Sequence, residues 1–231
     1  MAVMPMFPLG SVLLPGQVLP LHVFEPRYLQ MMGDCLRDHD REFAVVLIER
    51  GSEVGGGDRR SSHGTVAKMV QIGELGEGRL LVVCVGTRRV RVKAWLPDDP
   101  YPLADVDEWP DSWSDDDRDP VALDALARSI AQVAARVRRA HALAVELGDR
   151  SGGTEFELSD DPLEASYHLA AMLPVGPVDH HNLLAAVGPV ERVGLVATLL
   201  DDVEVLQQFR LADAGGSLGD LPDDGDDGRP W

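Results

Sequence analysis

The chain has 231 residues, two cysteines and a formal net charge of −18. That length can bury a sizeable core, as one large domain or two small ones, and two subdomains are the preferred reading. With no apolar run of about eighteen residues, and no basic region ahead of an apolar N-terminal stretch, neither a membrane span nor a secretory signal is expected, and the expected location is cytoplasmic.

The charge is unevenly placed. Residues 98–119 carry −9 and residues 213–231 carry −5, which leaves −4 for the rest of the chain. Such acidic runs read as a solvated linker and a tail, and no basic stripe survives beside them for phosphate, so nucleic acid is not an expected partner. Arg88, Arg89, Arg91 and Lys93 alternate along a strand pattern and are expected on its solvent face. Cys35 and Cys84 each lie in an apolar pattern without close spacing. They read as buried free thiols of a reducing compartment rather than a disulfide framework.

In chain order, strands are predicted at about 7–14, 20–24, 42–50, 64–75, 79–96 and 102–108. Val12, Leu13 and Leu14 form a short apolar run closed by Pro15-Gly16, a turn dipeptide that presets one negative φ and permits one positive φ. After the second run, Glu25-Pro26 predicts a helix start, because proline at the first helical position forfeits no hydrogen bond and an acid there favours the positive end of the helix dipole. Tyr28, Met31, Met32, Cys35 and Leu36 recur at helical spacing and define the face that packs on the sheet. Glu77-Gly78 is the predicted hairpin turn between two long strand patterns.

Past Pro120 the apolar period changes from two to about three and a half, through Leu123, Leu126, Ile130, Val133, Val137, Ala140, Ala144 and Leu147. Small residues on that seam favour packing inside a bundle over a coiled-coil dimer. Further helices are predicted at 162–173, 179–187 and 189–211, the last with a stripe of Val196, Leu199, Leu200, Val203 and Leu206. The fold class is therefore α+β: a mostly antiparallel β subdomain with one helix over 1–110, an acidic linker over 111–119, a helical bundle over 120–212 and a disordered acidic tail over 213–231.

The stretch Phe7 to Tyr28, FPLGSVLLPGQVLPLHVFEPRY, resembles the opening of the Lon protease N-terminal domain family, with its FPL, LLPG and PLHIFEPRY, Val23 standing for the usual Ile. Phe43–Ile48, Gly64-Thr65-Val66-Ala67, Gly78-Arg79-Leu80, Val85–Val92, Pro100-Tyr101-Pro102 and Ala104-Asp105-Val106 are similar to that family in order and spacing. A looser pattern around Asp179, Leu183-Leu184, Arg192 and Leu199-Leu200 carries the likeness to about residue 210. The resemblance implies a PUA-like pseudo-barrel followed by a helical part. It also implies contact with unfolded or damaged polypeptides on behalf of a protease, a role in protein quality control.

Sequence motifs for catalysis are missing. A phosphate loop needs a lysine after glycine, and the two lysines, Lys68 and Lys93, follow Ala and Val. Neither lies in the context of the Ser-Lys dyad that the resembled protease carries in a separate domain, so no ATPase or protease module is expected and the chain reads as a non-enzyme. Gly55-Gly56-Gly57 lacks a strand-to-helix setting and reads as a hairpin loop. His180-His181 are adjacent on a helix, point about 100° apart and make a poor metal pair, and Asp179 is read as that helix's cap. No metal and no cofactor is expected.

Binding is what remains. The candidate contact residues are His22, Phe24, Glu25, Arg27, Tyr28, Met31 and Met32, where aromatics offer rigid area and methionine adapts to varied partners. Each also has a structural role: a hydrogen-bonding His22, a corner-fixing Glu25–Arg27 pair, and a core stripe for the rest. Polypeptide clients would be held by strand addition at a sheet edge or in a hydrophobic groove. The alternatives are a small-molecule protein with a cleft between the β subdomain and the bundle, and a hydrolase whose cluster forms only in three dimensions.

Overall fold

The computed structural model describes residues 2–50, 59–113, 119–148 and 157–216. The expected loop at Gly55-Gly56-Gly57 and the tail from 217 onward lie outside them. Six strands come first, β1 Ala2–Leu9, β2 Val18–Val23, β3 Glu42–Arg50, β4 Arg59–Gly76, β5 Arg79–Leu96 and β6 Leu103–Glu108, with helix α1 Pro26–Asp38 between β2 and β3. Four helices follow: α2 Pro120–Glu146, α3 Pro162–Met172, α4 Pro177–Ala185 and α5 Pro189–Gly216. The α+β class expected from the sequence is what the chain adopts.

β5 organises the sheet. Its first half pairs with β2, from Val18 against Val85 to Val23 against Leu80, and its second half pairs with β6, from Val90 against Glu108 to Leu96 against Leu103. β4 runs antiparallel along the other side of β5. β3 pairs with β4, β1 joins β3 in parallel, and β6 joins β1, so β1, β3, β4, β5 and β6 close on themselves while β2 flanks the ring. Successive residues of a strand face opposite sides. Met6, Ala44, Val46, Val66 and Val90 accordingly fill one apolar cluster, while Phe7, Phe43, Val45 and Ala67 join α1 in another.

The turns follow local chemistry. Gln17 N–H donates to Leu14 O at 3.1 Å across Pro15-Gly16, with Gly16 at φ 83°, which is a type II turn. Glu77 and Gly78, at φ 54° and 70°, make the two-residue hairpin turn between β4 and β5. Gly86 is required by contact, since a Cβ there would lie 2.4 Å from Leu14 O.

Several expectations are corrected. The first strand is Ala2–Leu9 rather than 7–14: Val12–Leu14 is a loop with Leu13 and Leu14 buried, because an apolar run of three does not by itself specify a strand. It joins the two halves of the molecule, Leu13 packing in the α1-facing cluster and Leu14 in the helical one, with Thr65 Oγ1 donating to Leu13 O at 2.6 Å. Leu36 is 43% exposed although Tyr28, Met31, Met32 and Cys35 are buried as predicted. Asp179 is not the cap of α4: Pro177 takes the first helical position, Gly176 is the N-cap and Asp179 sits within the first turn. α5 continues to Gly216, so the first residues of the expected tail are helical, and Leu206, near that end, is exposed. The α2 seam is buried from Leu126 to Ala144 against α3 and α5.

Candidate functional site

Two concavities gather the chemistry of the chain. The smaller, with a volume of about 170 Å³, lies where β2 turns into α1 and is lined by Phe7, Leu9, Pro20–Glu25 and Tyr28. The corner is built by Pro26 at the start of α1 and by Arg27 Nε donating to Glu25 Oε2 at 2.9 Å. Glu25 thus spends its carboxylate on Arg27 and makes no side-chain cap. The Arg27 guanidinium lies 4.6 Å from the Tyr28 ring centroid, and Tyr28 stacks on Phe7 at 4.2 Å and 16°. Such stacking fixes the ring plane and adds to area burial.

This places the predicted contact residues in two groups. His22 and Phe24 are exposed, Phe24 at 57%, and Glu25 and Arg27 are half-buried beside them. Met31 and Met32 have no exposed surface and Tyr28 almost none, all three packing in the α1-facing core. Met31 and Met32 therefore present nothing to a partner as the chain stands. β2 pairs with β5 alone among the described strands, and Pro20 in its middle supplies no N–H, which blunts that edge.

The larger concavity, about 460 Å³, lies between the barrel and the helical bundle. Its walls are Pro15, Gly16 and Gly86–Arg89 on the barrel side, Trp109–Asp111 after β6, and Leu163, Glu164, Tyr167 and His168 on α3. Arg89, expected on a solvent face, is 3% exposed instead. The strand carries it beneath α4, where Nη1 donates to Leu184 O at 2.7 Å and Ala186 O at 2.6 Å, satisfying carbonyls at that helix's end. Asp111, expected in a solvated linker, is likewise drawn inside. Its Oδ1 is 3.2 Å from Arg89 Nη2 and accepts from Arg192 Nη2, while its Oδ2 accepts from Tyr167 Oη at 2.6 Å.

Arg192 is fully buried, donating also to Leu183 O at 3.1 Å and Ser166 Oγ at 2.8 Å. Its guanidinium lies 3.6 Å from the Tyr167 ring centroid. Burial, more than the neighbouring charges, pushes the Tyr167 phenol well above its ordinary value, so it acts as a neutral donor. Burial also lowers Arg89 from its usual value, and the Arg192 and Arg91 cations add to this against the opposing Tyr167 and Asp111. Nearby, the His63 ring lies tilted against Trp109 at 4.4 Å and 5.8 Å from His181, ring centre to ring centre. Asp111, Tyr167 and His168 were not singled out from sequence, the partners of Asp111 lying 56 and 81 residues away. Among the described residues, no group of three or more His, Cys, Asp and Glu side chains is placed to hold a metal ion. No helix among them is long and apolar enough to cross a membrane.

Comparison with known proteins gives one answer. The chain is 34% identical over 137 residues to Lon protease 2 of Myxococcus xanthus, covering 58% of this chain and 16% of that protein. It is 25% identical over 206 residues to Lon protease of Escherichia coli K12, covering 88% of this chain and 25% of that protein. It thus spans a quarter or less of the length of these relatives, within their substrate-binding part and not their ATPase or protease domains. Its structure is similar to that of a Lon N-terminal domain protein from Xanthomonas campestris, with a TM-score of 0.59 and 26% identity over 86% of this chain and 98% of the other. The N-terminal domain of Mycobacterium avium complex Lon protease shares the fold at a TM-score of 0.60 and 20% identity, over 87% of this chain and 99% of that one. A family model described as the ATP-dependent protease La (LON) substrate-binding domain matches residues 3–202, and the chain belongs to that family.

Proposed function

We propose that this chain is a non-enzymatic recognition module that holds exposed apolar segments of unfolded or damaged polypeptides, acting as an adaptor for a protease. The observation that carries this reading is the corner groove, where Phe24 stands 57% exposed on a floor made rigid by the Phe7–Tyr28 stack and the Arg27 guanidinium. A large exposed aromatic on a pre-organised floor offers apolar contact at low entropic cost and tolerates many client sequences. Side-chain capture by His22, Phe24, Glu25, Arg27 and the rim of Tyr28 accords better with the groove than strand addition, because Pro20 leaves the β2 edge one donor short. Met31 and Met32 support that floor from beneath. We also read the chain as a β unit to about residue 110 and a helical unit from 120, and two buried free thiols accord with a cytoplasmic setting.

The test is suppression of aggregation of a heat-unfolded client without nucleotide. Phe24→Glu should abolish suppression while leaving the melting transition near that of the parent, since an exposed side chain contributes little to stability. Suppression that persists in Phe24→Glu, or is missing at excess parent protein, refutes the groove. A second reading, a small-molecule protein, is favoured by the larger cleft between barrel and bundle.

A further inference from the structure

The cleft has an electrostatic imbalance under its floor. Arg89 and Arg192 are both buried, and among the described residues one carboxylate, Asp111, serves them both. Arg89 Nη2 meets that carboxylate at 3.2 Å outside hydrogen-bond geometry, and Arg89 Nε, buried, has no acceptor among the described residues. Tyr167 adds a neutral hydroxyl rather than a second anion. Arg91 brings further positive charge to the Trp109 ring, 4.9 Å from its centroid. At the rim Arg88 is taken up by Glu42 and Glu108, while the Glu164 carboxylate accepts from the Ser159 hydroxyl and stands exposed, where solvent screens it from the buried pair. Two buried guanidiniums on one carboxylate leave a positive charge that burial makes costly and that a bound anion would offset.

A donor stands ready in the cleft itself. Ser159 N–H donates to His168 Nδ1 at 3.4 Å, which puts the ring proton of the neutral imidazole on Nε2. That Nε2 is on the Gly16 side, 3.4 Å from where a Gly16 Cβ would stand. The rest of the wall is apolar or aromatic, with Trp109 held in place by the Arg89 guanidinium 4.2 Å from its centroid.

We propose that this cleft binds a carboxylate carried on an apolar body, the anion accepting from His168 Nε2 above the Arg89–Arg192 pair and the body lying against Trp109 and Leu163. The inference gives a ligand class to the small-molecule reading and is independent of the corner groove. The two sites share no lining residue, and the client assay can fail while this one succeeds. The same chemistry is offered by a free carboxylic acid and by the end of a polypeptide.

Calorimetric titration of the full chain with 2-naphthoate and with its neutral isostere 2-naphthamide tests it. The acid should bind saturably and at least about tenfold tighter than the amide. Leu163→Trp, which fills the cleft without touching the buried arginines, should abolish binding of the acid, and His168→Leu should bring the acid down to the level of the amide. Each variant counts only if it keeps the parent melting transition, and the acid-to-amide ratio in the parent needs no variant. A tryptophan-ended peptide with a free C-terminus, against its amidated form, separates chain ends from free acids: binding of the free form assigns the site to polypeptide ends as well. Equal affinity for acid and amide, no saturable binding of the acid at millimolar concentration, or undiminished binding in folded Leu163→Trp would overturn the proposal.

Discussion

Arg192 and Asp111 are 81 residues apart in sequence and meet inside the molecule, guanidinium on carboxylate, with Arg89 from β5 on the same oxygen. The contact joins three parts of the chain: a barrel strand, the segment leaving β6, and the first turn of α5. Ser112 N–H donating to Val187 O at 2.8 Å, and Gly188, where a Cβ would lie 2.4 Å from Ser112 O, hold the same segment against the turn between α4 and α5. Barrel and bundle are therefore fastened through buried polar groups as well as through Leu13 and Leu14.

Removing that carboxylate should be severe. Asp111→Ala leaves two buried guanidiniums without an anion, and breaking a buried pair by deleting one partner costs about 3–5 kcal/mol. Chemical denaturation should show the unfolding free energy falling by that amount, and a loss below about 1 kcal/mol would mean that water already serves the arginines.

How much of this the sequence disclosed depends on the range over which each feature is decided. The turns at Pro15-Gly16 and Glu77-Gly78, the α1 start at Pro26 and the α2 seam were legible because each is set by residues within a turn or two. Arg89 was not. Alternation put it on the solvent face, and only the position of α4, some 95 residues later, covers it. Asp111 was hidden for the same reason, a carboxylate in an acidic run being buried only because Arg89 and Arg192 arrive from elsewhere. In the corner groove, periodicity marked Tyr28, Met31 and Met32 for the core, and packing keeps Phe24 outside it.

The approach of the Leu13–Gly16 loop to β5 gives a paired test. Gly86→Ala places a methyl 2.4 Å from Leu14 O and 3.1 Å from Leu14 C, where backbone must move, whereas a methyl at Gly73 meets nothing within 4 Å. Overpacking of this kind costs about 1–3 kcal/mol, and a methyl in open space on a strand is neutral or mildly favourable. Thermal melts should show Gly86→Ala clearly lowered and Gly73→Ala unchanged or raised. Equal melting temperatures would show that the loop yields freely.

Both thiols should resist alkylation in the folded chain. Cys35 and Cys84 are fully buried, and burial is the main cause that pushes each up to about 12, with Asp34 and Cys84 adding for Cys35. The thiolate is the reactive form, so at pH near 8 both accessibility and ionisation oppose reaction. Iodoacetamide followed by mass spectrometry should leave both unmodified until denaturant is added, and rapid native labelling of either would show local opening around α1 or β5.

Acidification should loosen the contact between β4 and α4. His63 and His181 face one another across it, and both are lowered from the ordinary value of 6.5, burial being the main cause for each. For His63 the neighbours His181, Arg91 and Arg89 push the same way, while Glu49 opposes the shift at His181. The unfolded chain then takes up these protons more readily than the folded one between the two values. The stability the pair contributes is complete above about 6.5 and is lost as pH falls through the window beneath it. Urea midpoints measured at about pH 7.5 and about pH 5.5 should therefore fall, with the drop reduced in His181→Asn. A midpoint that holds or rises over that interval, or an undiminished drop in His181→Asn, would mean that water reaches the pair and hydrates its charged form.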